Sequence, residues 1–301
     1  MKIQETLEKF ESYMKSRSYS LHTILTRIRS IRKFNRWLVS RNFMYHEVIE
    51  QDISEYKAYL ISRSHSDHTI LTHLGSIKSF YLWLFKSHEI FNNPAEDMTP
   101  NLKVDKLPYV LTEQQIDNII RTVSNDKVSL TPMRNTAILE LAYSSLLRRN
   151  ELVNIKISDI DYNNQTARII RKGNKEGLVP IGNKAIQAIK AYVNDERETL
   201  LLRNPDMACE YLWLSHTYGA KISYRSLDGI FRDIRNRQNM TEEFSLHTLR
   251  RSGATHMLQY GASLLIVRDM LGHENFKAIR HYLRLCTKDY HETLKKSEAL
   301  K

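Results

Sequence analysis

Ala167-Arg-Ile-Ile-Arg171-Lys172-Gly173-Asn174-Lys175-Glu176-Gly-Leu178-Val-Pro-Ile181 holds two short β-prone runs joined by a polar turn. The runs are 167–171 and 178–181, and a glycine inside residues 172–176 lets the chain reverse tightly between them. A third strand-like segment, 155–161, precedes them. On either side the period changes from two to three or four. An apolar run predicts a helix over about 132–149, and from Asn183 onward the chain again reads mostly as helix. One small antiparallel sheet set among helices is the expected core of this half. Thr112-Glu-Gln-Gln115 predicts a capping box opening its first helix.

The first hundred residues read as helices alone. Leu7, Phe10 and Met14, then Ile24, Ile28, Ile31, Phe34, Trp37 and Leu38, recur at three- and four-residue spacing. An internal echo runs through them. Ser20-Leu-His-Thr-Ile-Leu-Thr26 returns 46 residues later as Ser66-Asp-His-Thr-Ile-Leu-Thr72, and 11 of 19 aligned positions are identical. Each copy offers a serine N-cap before an apolar stripe, which predicts two similar helix pairs in a small bundle. Pro94, Pro100, Pro108 and the polar stretch 101–106 break the periodicity. The expected organisation is a helical domain over 1–95, a linker over 96–108 and a mixed domain over 109–301.

Lysine and arginine outnumber aspartate and glutamate by 45 to 34, a formal charge of +11. Residues 1–104 carry +4 of it and the rest +7, so the excess is no tail. A polyanion is the expected partner of such a surface, because each neutralised phosphate releases counterions. No apolar run approaches the roughly 18 residues of a membrane span. The opening Met1-Lys-Ile-Gln-Glu5 leads into no signal-peptide core, and Cys209 and Cys286 stand in no metal-ligand spacing. The expectation is a reduced, cytoplasmic protein with no metal, no cofactor and no membrane partner, whose basic surface is either a nucleic-acid footprint or an inert one.

Several polar residues stand where helix periodicity does not ask for them. Arg148 and Glu151 lie three apart at the end of the apolar run, so both can share a face. His247 and Arg250 are also three apart, after a cap candidate at Ser245. Gly272 can take the left-handed conformation that ends a helix over 264–271, and His273 follows it. Tyr282 comes nine residues later, and Lys172 sits at the mouth of the strand turn. Singly, each has an ordinary explanation: a surface ion pair, a solvated turn lysine, a packing histidine, one tyrosine among 16.

Their order and spacing are specific. Tyr143-Ser-Ser-Leu-Leu-Arg148-Arg-Asn-Glu151-Leu152, Arg171-Lys172-Gly-Asn-Lys-Glu-Gly-Leu-Val-Pro180, Ser245-Leu-His247-Thr-Leu-Arg250, and Leu271-Gly272-His273 with Tyr282 resemble the tyrosine recombinases of the phage-integrase family, in particular its short Xer-like members. The likeness extends over nearly the whole chain. It implies a two-domain DNA clamp, with an N-terminal helical, SAM-like core-binding domain and a tyrosine-recombinase catalytic domain. It also implies an active site of Arg148, Lys172, His247, Arg250, His273 and Tyr282, with Glu151 behind it. Two departures stand out. A position that is often glycine in the family is Leu146 here, and Tyr282 is followed by Leu283-Arg-Leu-Cys286 where Thr-His is common. Tyr290 is the rival nucleophile, disfavoured by its distance from His273.

The function implied is site-specific recombination through a 3′-phosphotyrosine and a Holliday junction, serving mobile-element integration and excision or Xer-type dimer resolution. The implied partner is double-stranded DNA with specific sites, bound by a homotetramer that exchanges a C-terminal helix at 289–300. A partner recombinase or an accessory DNA-bending protein belongs to the same picture. Two rivals come from other classes: a catalytically silent DNA-binding protein and a type IB topoisomerase-like enzyme. Arg27, Arg29, Arg32, Lys33 and Lys78 in the first half, and Lys175, Arg225, Arg232 and Arg235 in the second, are the candidate DNA contacts.

Overall fold

The computed structural model describes residues 3–98, 109–171, 175–204, 208–240 and 244–272. The chain divides into two compact units, Met1–Lys106 and Leu107–Lys301.

Four helices make the first unit: α1 (Ile3–Ser16), α2 (Leu21–Val39), α3 (Glu50–Ser62) and α4 (Asp67–Lys86). The internal echo determines how they pack. Ser20 and Ser66 each accept a hydrogen bond from the backbone N–H three residues on, opening α2 and α4 with the same cap. Ile24, Ile28, Ile31, Phe34 and Leu38 are buried on α2, and so are their counterparts Ile70, Leu74, Ile77, Phe80 and Leu84 on α4. The two stripes face one another, with α1 and α3 packed on this pair. Rings fill the middle, with Phe10 edge-on to Phe80 at 5.4 Å and Phe34 edge-on to Tyr56 at 4.8 Å. Where the copies differ, each residue serves its own place. Arg27 is held by the Ser79 hydroxyl and lies over the Tyr19 ring, whereas its counterpart His73 is buried against the Tyr56 hydroxyl.

The second unit is built around α6 (Pro132–Ser145). Ala137, Ile138, Leu139, Leu141 and Ala142 are fully buried, so the helix is apolar on most sides, as a central helix must be. Packed on it are α5 (Glu113–Ser124), α8 (Asn183–Asn194), α9 (Glu196–Leu201) and α11 (Leu246–Gln259). Thr112 and Gln115 form the expected capping box at α5. The other helices are α7 (Arg149–Asn154), α10 (Tyr224–Arg237) and α12 (Leu264–Leu271). The sheet is antiparallel in the order β1 (Ile160–Asp161), β2 (Thr166–Ile170), β3 (Glu176–Pro180), with Ile170 opposite Glu176 next to the turn. No helix among the described residues is long and apolar enough to cross a membrane.

Two elements differ from expectation. The helix expected over 132–149 stops at Ser145, because Leu146 turns left-handed at φ 52°. The strand expected over 155–161 is a strand only at its last two residues. Asp159 accepts the Lys156 N–H and winds a 3-10 turn there, while the backbone on either side of Lys156 pairs with residues 210–212 instead of the sheet. Most of the linker expected over 96–108 lies outside the described residues.

Candidate active site

The left-handed Leu146 decides where Arg148 stands. After it the chain restarts as α7, with Arg148 as the N-cap residue instead of the end of a longer helix. Glu151, at the third position of α7, closes a capping box: its Oε2 accepts the Arg148 N–H at 2.7 Å. The same carboxylate receives the Arg148 side chain, Nη1 to Oε1 at 3.2 Å. Three-residue spacing therefore does bring Arg148 and Glu151 together, through a helix start and not along a helix face.

Arg250 reaches the same place from α11. That helix is capped by Ser245, which accepts the Thr248 N–H. Arg250 is 5% exposed, its Nη1 lies 3.7 Å from Glu151 Oε2 and donates to the Leu146 carbonyl, and its Nη2 donates to the Leu271 carbonyl at 2.6 Å. Arg148 Nη2 donates to the next carbonyl, Gly272, at 2.8 Å. Gly272 is left-handed at φ 56° and ends α12, as the sequence predicts. A side chain here would press on the site, since a Cβ at Gly272 would lie 3.0 Å from Arg148 Nη1. Two guanidiniums thus share one buried carboxylate and the carbonyl end of one helix, where the peptide dipoles favour cations. One carboxylate against two guanidiniums leaves net positive charge, and Arg148 keeps a third of its side chain exposed. Such a cluster is suited to an oxyanion that accepts paired N–H bonds.

His247, one turn before Arg250, is exposed at the start of α11. Partial desolvation, then the positive charges of Arg250, Arg251 and Arg149, hold its pKa below the ordinary histidine value, against the opposing pull of Asp228. Its neutral, proton-accepting form is favoured at neutral pH.

Lys172, His273, Tyr282 and Tyr290 lie outside the described residues, as does the C-terminal helix expected over 289–300. The described neighbours of two of them are nevertheless at the cluster. Arg171, which immediately precedes Lys172, sends Nη1 to the Asp269 carbonyl at 2.6 Å, and Gly272 immediately precedes His273. Arg171 escapes a reading by motif, since its interest comes from what it crosses in space. Its sequence signals are its place at the end of the strand expected over 167–171 and directly before Lys172 in the matching stretch.

The candidate DNA contacts separate into two kinds. Arg29, Arg32 and Lys33 are exposed on α2. Arg225 and Arg232 are exposed on α10, with Arg235 half-buried, opposite the buried stripe Leu227, Phe231 and Ile234. Lys175 is exposed at the end of the turn. Arg27 and Lys78 are instead tied into the fold, Lys78 by the carbonyls of Glu96 and Met98 at 3.2 and 2.7 Å.

The pattern described as "Phage integrase family" matches residues 109–288, and "Phage integrase, N-terminal SAM-like domain" matches residues 6–88. Tyrosine recombinase XerC of Halalkalibacterium halodurans is 34% identical over 186 residues, which are 62% of this chain and 60% of that protein. Alignments to these curated relatives therefore span about three fifths of their length. The XerH site-specific recombinase bound to palindromic difH substrate has a TM-score of 0.75 at 22% identity, covering 97% of this chain and 84% of that one. The Tn1549 transposon integrase in complex with a circular intermediate DNA has a TM-score of 0.72 at 17% identity, covering 92% and 94%. At these identities the solved structures establish the shared fold.

Proposed function

The chain belongs to the phage integrase family, and from that premise we propose that it is a site-specific DNA recombinase acting through a 3′-phosphotyrosine intermediate. The observation that carries this reading is the meeting of Arg148 and Arg250 on Glu151 and the carbonyl end of α12. Attack on a phosphodiester builds negative charge on the non-bridging oxygens. Two planar, permanently charged forks stabilise that charge where lysines would offer only points.

In this mechanism the Tyr282 oxygen forms a bond to phosphorus and the bond to the 5′-oxygen breaks. His247, kept neutral by partial desolvation and then by its cationic surroundings, takes the phenolic proton. Lys172 gives a proton to the departing 5′-oxygen, and His273 donates a hydrogen bond to the phosphate. Glu151 holds Arg148 at its cap and supplies the counter-charge of Arg250. The phosphotyrosyl ester conserves the bond energy, so a 5′-hydroxyl of a second strand can reverse the step without ATP. Exchange of one strand pair, then the other, passes through a Holliday junction. The protein acts as a homotetramer on two sites, with residues 289–300 exchanged between neighbours. Two structural neighbours, one bound to palindromic difH substrate and one to a circular intermediate DNA, support double-stranded DNA as the substrate.

Covalent trapping tests the reading. Wild type, Tyr282→Phe and Tyr290→Phe are incubated with randomised DNA duplexes, SDS-resistant adducts are isolated, and the captured ends are sequenced. Adducts from wild type and Tyr290→Phe, but not from Tyr282→Phe, are expected. The captured sequences then distinguish mobile-element ends from a dimer-resolution site. Tight binding with no adduct would favour the silent DNA-binding protein. Relaxation of supercoils without a preferred site would favour the topoisomerase.

A further inference from the structure

A third guanidinium stands at the end of α12, and the proposed chemistry leaves it without a task. Arg171 follows β2 directly, and its N–H donates to the Lys175 carbonyl at 2.8 Å, closing the turn between β2 and β3. Its side chain crosses the hairpin over Gly177, where a Cβ would lie 2.8 Å from Arg171 Nε. It then donates through Nη1 to the Asp269 carbonyl at 2.6 Å. The point where a Gly272 Cβ would stand is 3.0 Å from Arg171 Nη1 and 3.0 Å from Arg148 Nη1. Consecutive and near-consecutive carbonyls at this helix end, Asp269, Leu271 and Gly272, are thus taken by Arg171, Arg250 and Arg148, which come from three different elements.

Arg171 holds this place at a cost. Its Nε is buried and finds no acceptor among the described residues, and its charge lies beside that of Arg148. A freely solvated arginine would avoid both penalties. The absence of a side chain at residue 177 is what makes room for it.

We propose that Arg171 is a positioning residue of the site: from the hairpin it fixes the last turn of α12, and with it the Gly272 carbonyl on which Arg148 rests. The proposal builds on the recombinase reading and adds to it a connection between the turn that carries Lys172 and the helix end that leads to His273.

The test uses full-length protein and the duplex captured by trapping. DNA affinity, the single-turnover rate of adduct formation at saturating protein, and thermal melting are measured for Arg171→Ala, Arg171→Lys, Gly177→Ala and the double variant Arg171→Gly with Gly177→Arg. Arg171→Ala is expected to bind within about twofold of wild type while its adduct rate falls roughly tenfold to hundredfold, as displacement of a catalytic group by an ångström can do. Gly177→Ala keeps every charge but pushes the guanidinium aside, so it should slow cleavage without weakening binding. Arg171→Lys should recover part of the rate, and the double variant, which supplies a guanidinium from the opposite strand, should recover more. An Arg171→Ala protein that cleaves at the wild-type rate overturns the proposal, and so does a defect found wholly in affinity. If Arg171→Ala does not fold, Gly177→Ala decides, and an unchanged rate there overturns the proposal. Wild type that forms no adduct overturns the recombinase reading itself, and the positioning role with it.

Discussion

Glu151 performs three tasks with two oxygens: it caps α7, holds the Arg148 side chain and faces Arg250. Exposure of only 4% makes each task expensive to lose. Glu151→Gln keeps the shape and one acceptor, but it turns an amide donor towards guanidinium donors and removes the only carboxylate paired to Arg250 among the described residues. The expected destabilisation is about 3 kcal/mol, at the lower end for breaking a buried pair because Arg148 is partly solvated, and urea denaturation measures it. His247 allows a prediction in pH. Its pKa is lowered, so the protonated form predominates only at a pH below the ordinary histidine value of 6.5. If the neutral ring takes the tyrosine proton, the adduct rate at subsaturating DNA should be on its plateau at pH 7 and fall as pH drops through a midpoint below 6.5. His247→Asn should lose that acid limb along with most of its rate. A limb at or above 6.5 in the wild type would contradict the role.

Among the elements, the junction of α6 and α11 decides whether Arg148 and Arg250 can meet. A leucine in the left-handed region costs about 1 kcal/mol or more. Leu146 offsets that by burying its side chain with Ala254, Val267, Met270 and Leu271. Leu146, where the family resemblance leads one to expect glycine, therefore keeps a left-handed turn here, with a side chain added to the core. Gly253 is the complement of that leucine, since a Cβ there would lie 2.4 Å from the Tyr143 carbonyl and 2.7 Å from Leu146 Cδ2. Gly253→Ala must push α11 away from α6. The expected cost is about 2 kcal/mol in denaturation, with adduct formation falling further than stability explains, because Arg250 moves with α11. Leu146, Arg148 and Arg250 stand out in the sequence, but Gly253 and the shape of the junction do not. The apolar run continues to Leu147, and apart from the glycine that the family resemblance leads one to expect at Leu146, nothing local announces a left-handed turn, since the compensating contacts come from residues more than a hundred positions away. The capping serines, the hairpin and the glycine stop after α12 were legible because each is a local device whose signal lies within a few residues. The 155–161 segment misled for the opposite reason, since its backbone pairs with a stretch some fifty residues downstream. The role of Arg171 is hidden on the same ground, as its side chain reaches the Asp269 carbonyl in α12, about a hundred positions away.

For the whole molecule, the excess of +11 is spread over both units, and the structure sorts that charge by what holds it. Arg27 and Lys78 bond to the Ser79 hydroxyl and to the Glu96 and Met98 carbonyls, so their loss is first a loss of packing in the helical unit. Arg29, Arg32 and Lys33 on α2, and Arg225 and Arg232 on α10, stand exposed. Salt dependence separates the two classes, because each phosphate contact contributes roughly 0.9 to the slope of log affinity against log salt. Replacing Arg29, Arg32 and Lys33 together by alanine should flatten that slope by roughly two to three while leaving thermal melting within a degree or two of wild type. The pair Arg225→Ala and Arg232→Ala should flatten it by roughly one to two. Lys78→Met should do the reverse, lowering the melting temperature of the helical unit with little change in slope where the protein remains folded. A slope untouched by the α2 triple variant would remove that face from the DNA interface and leave its charge as a solvated surface.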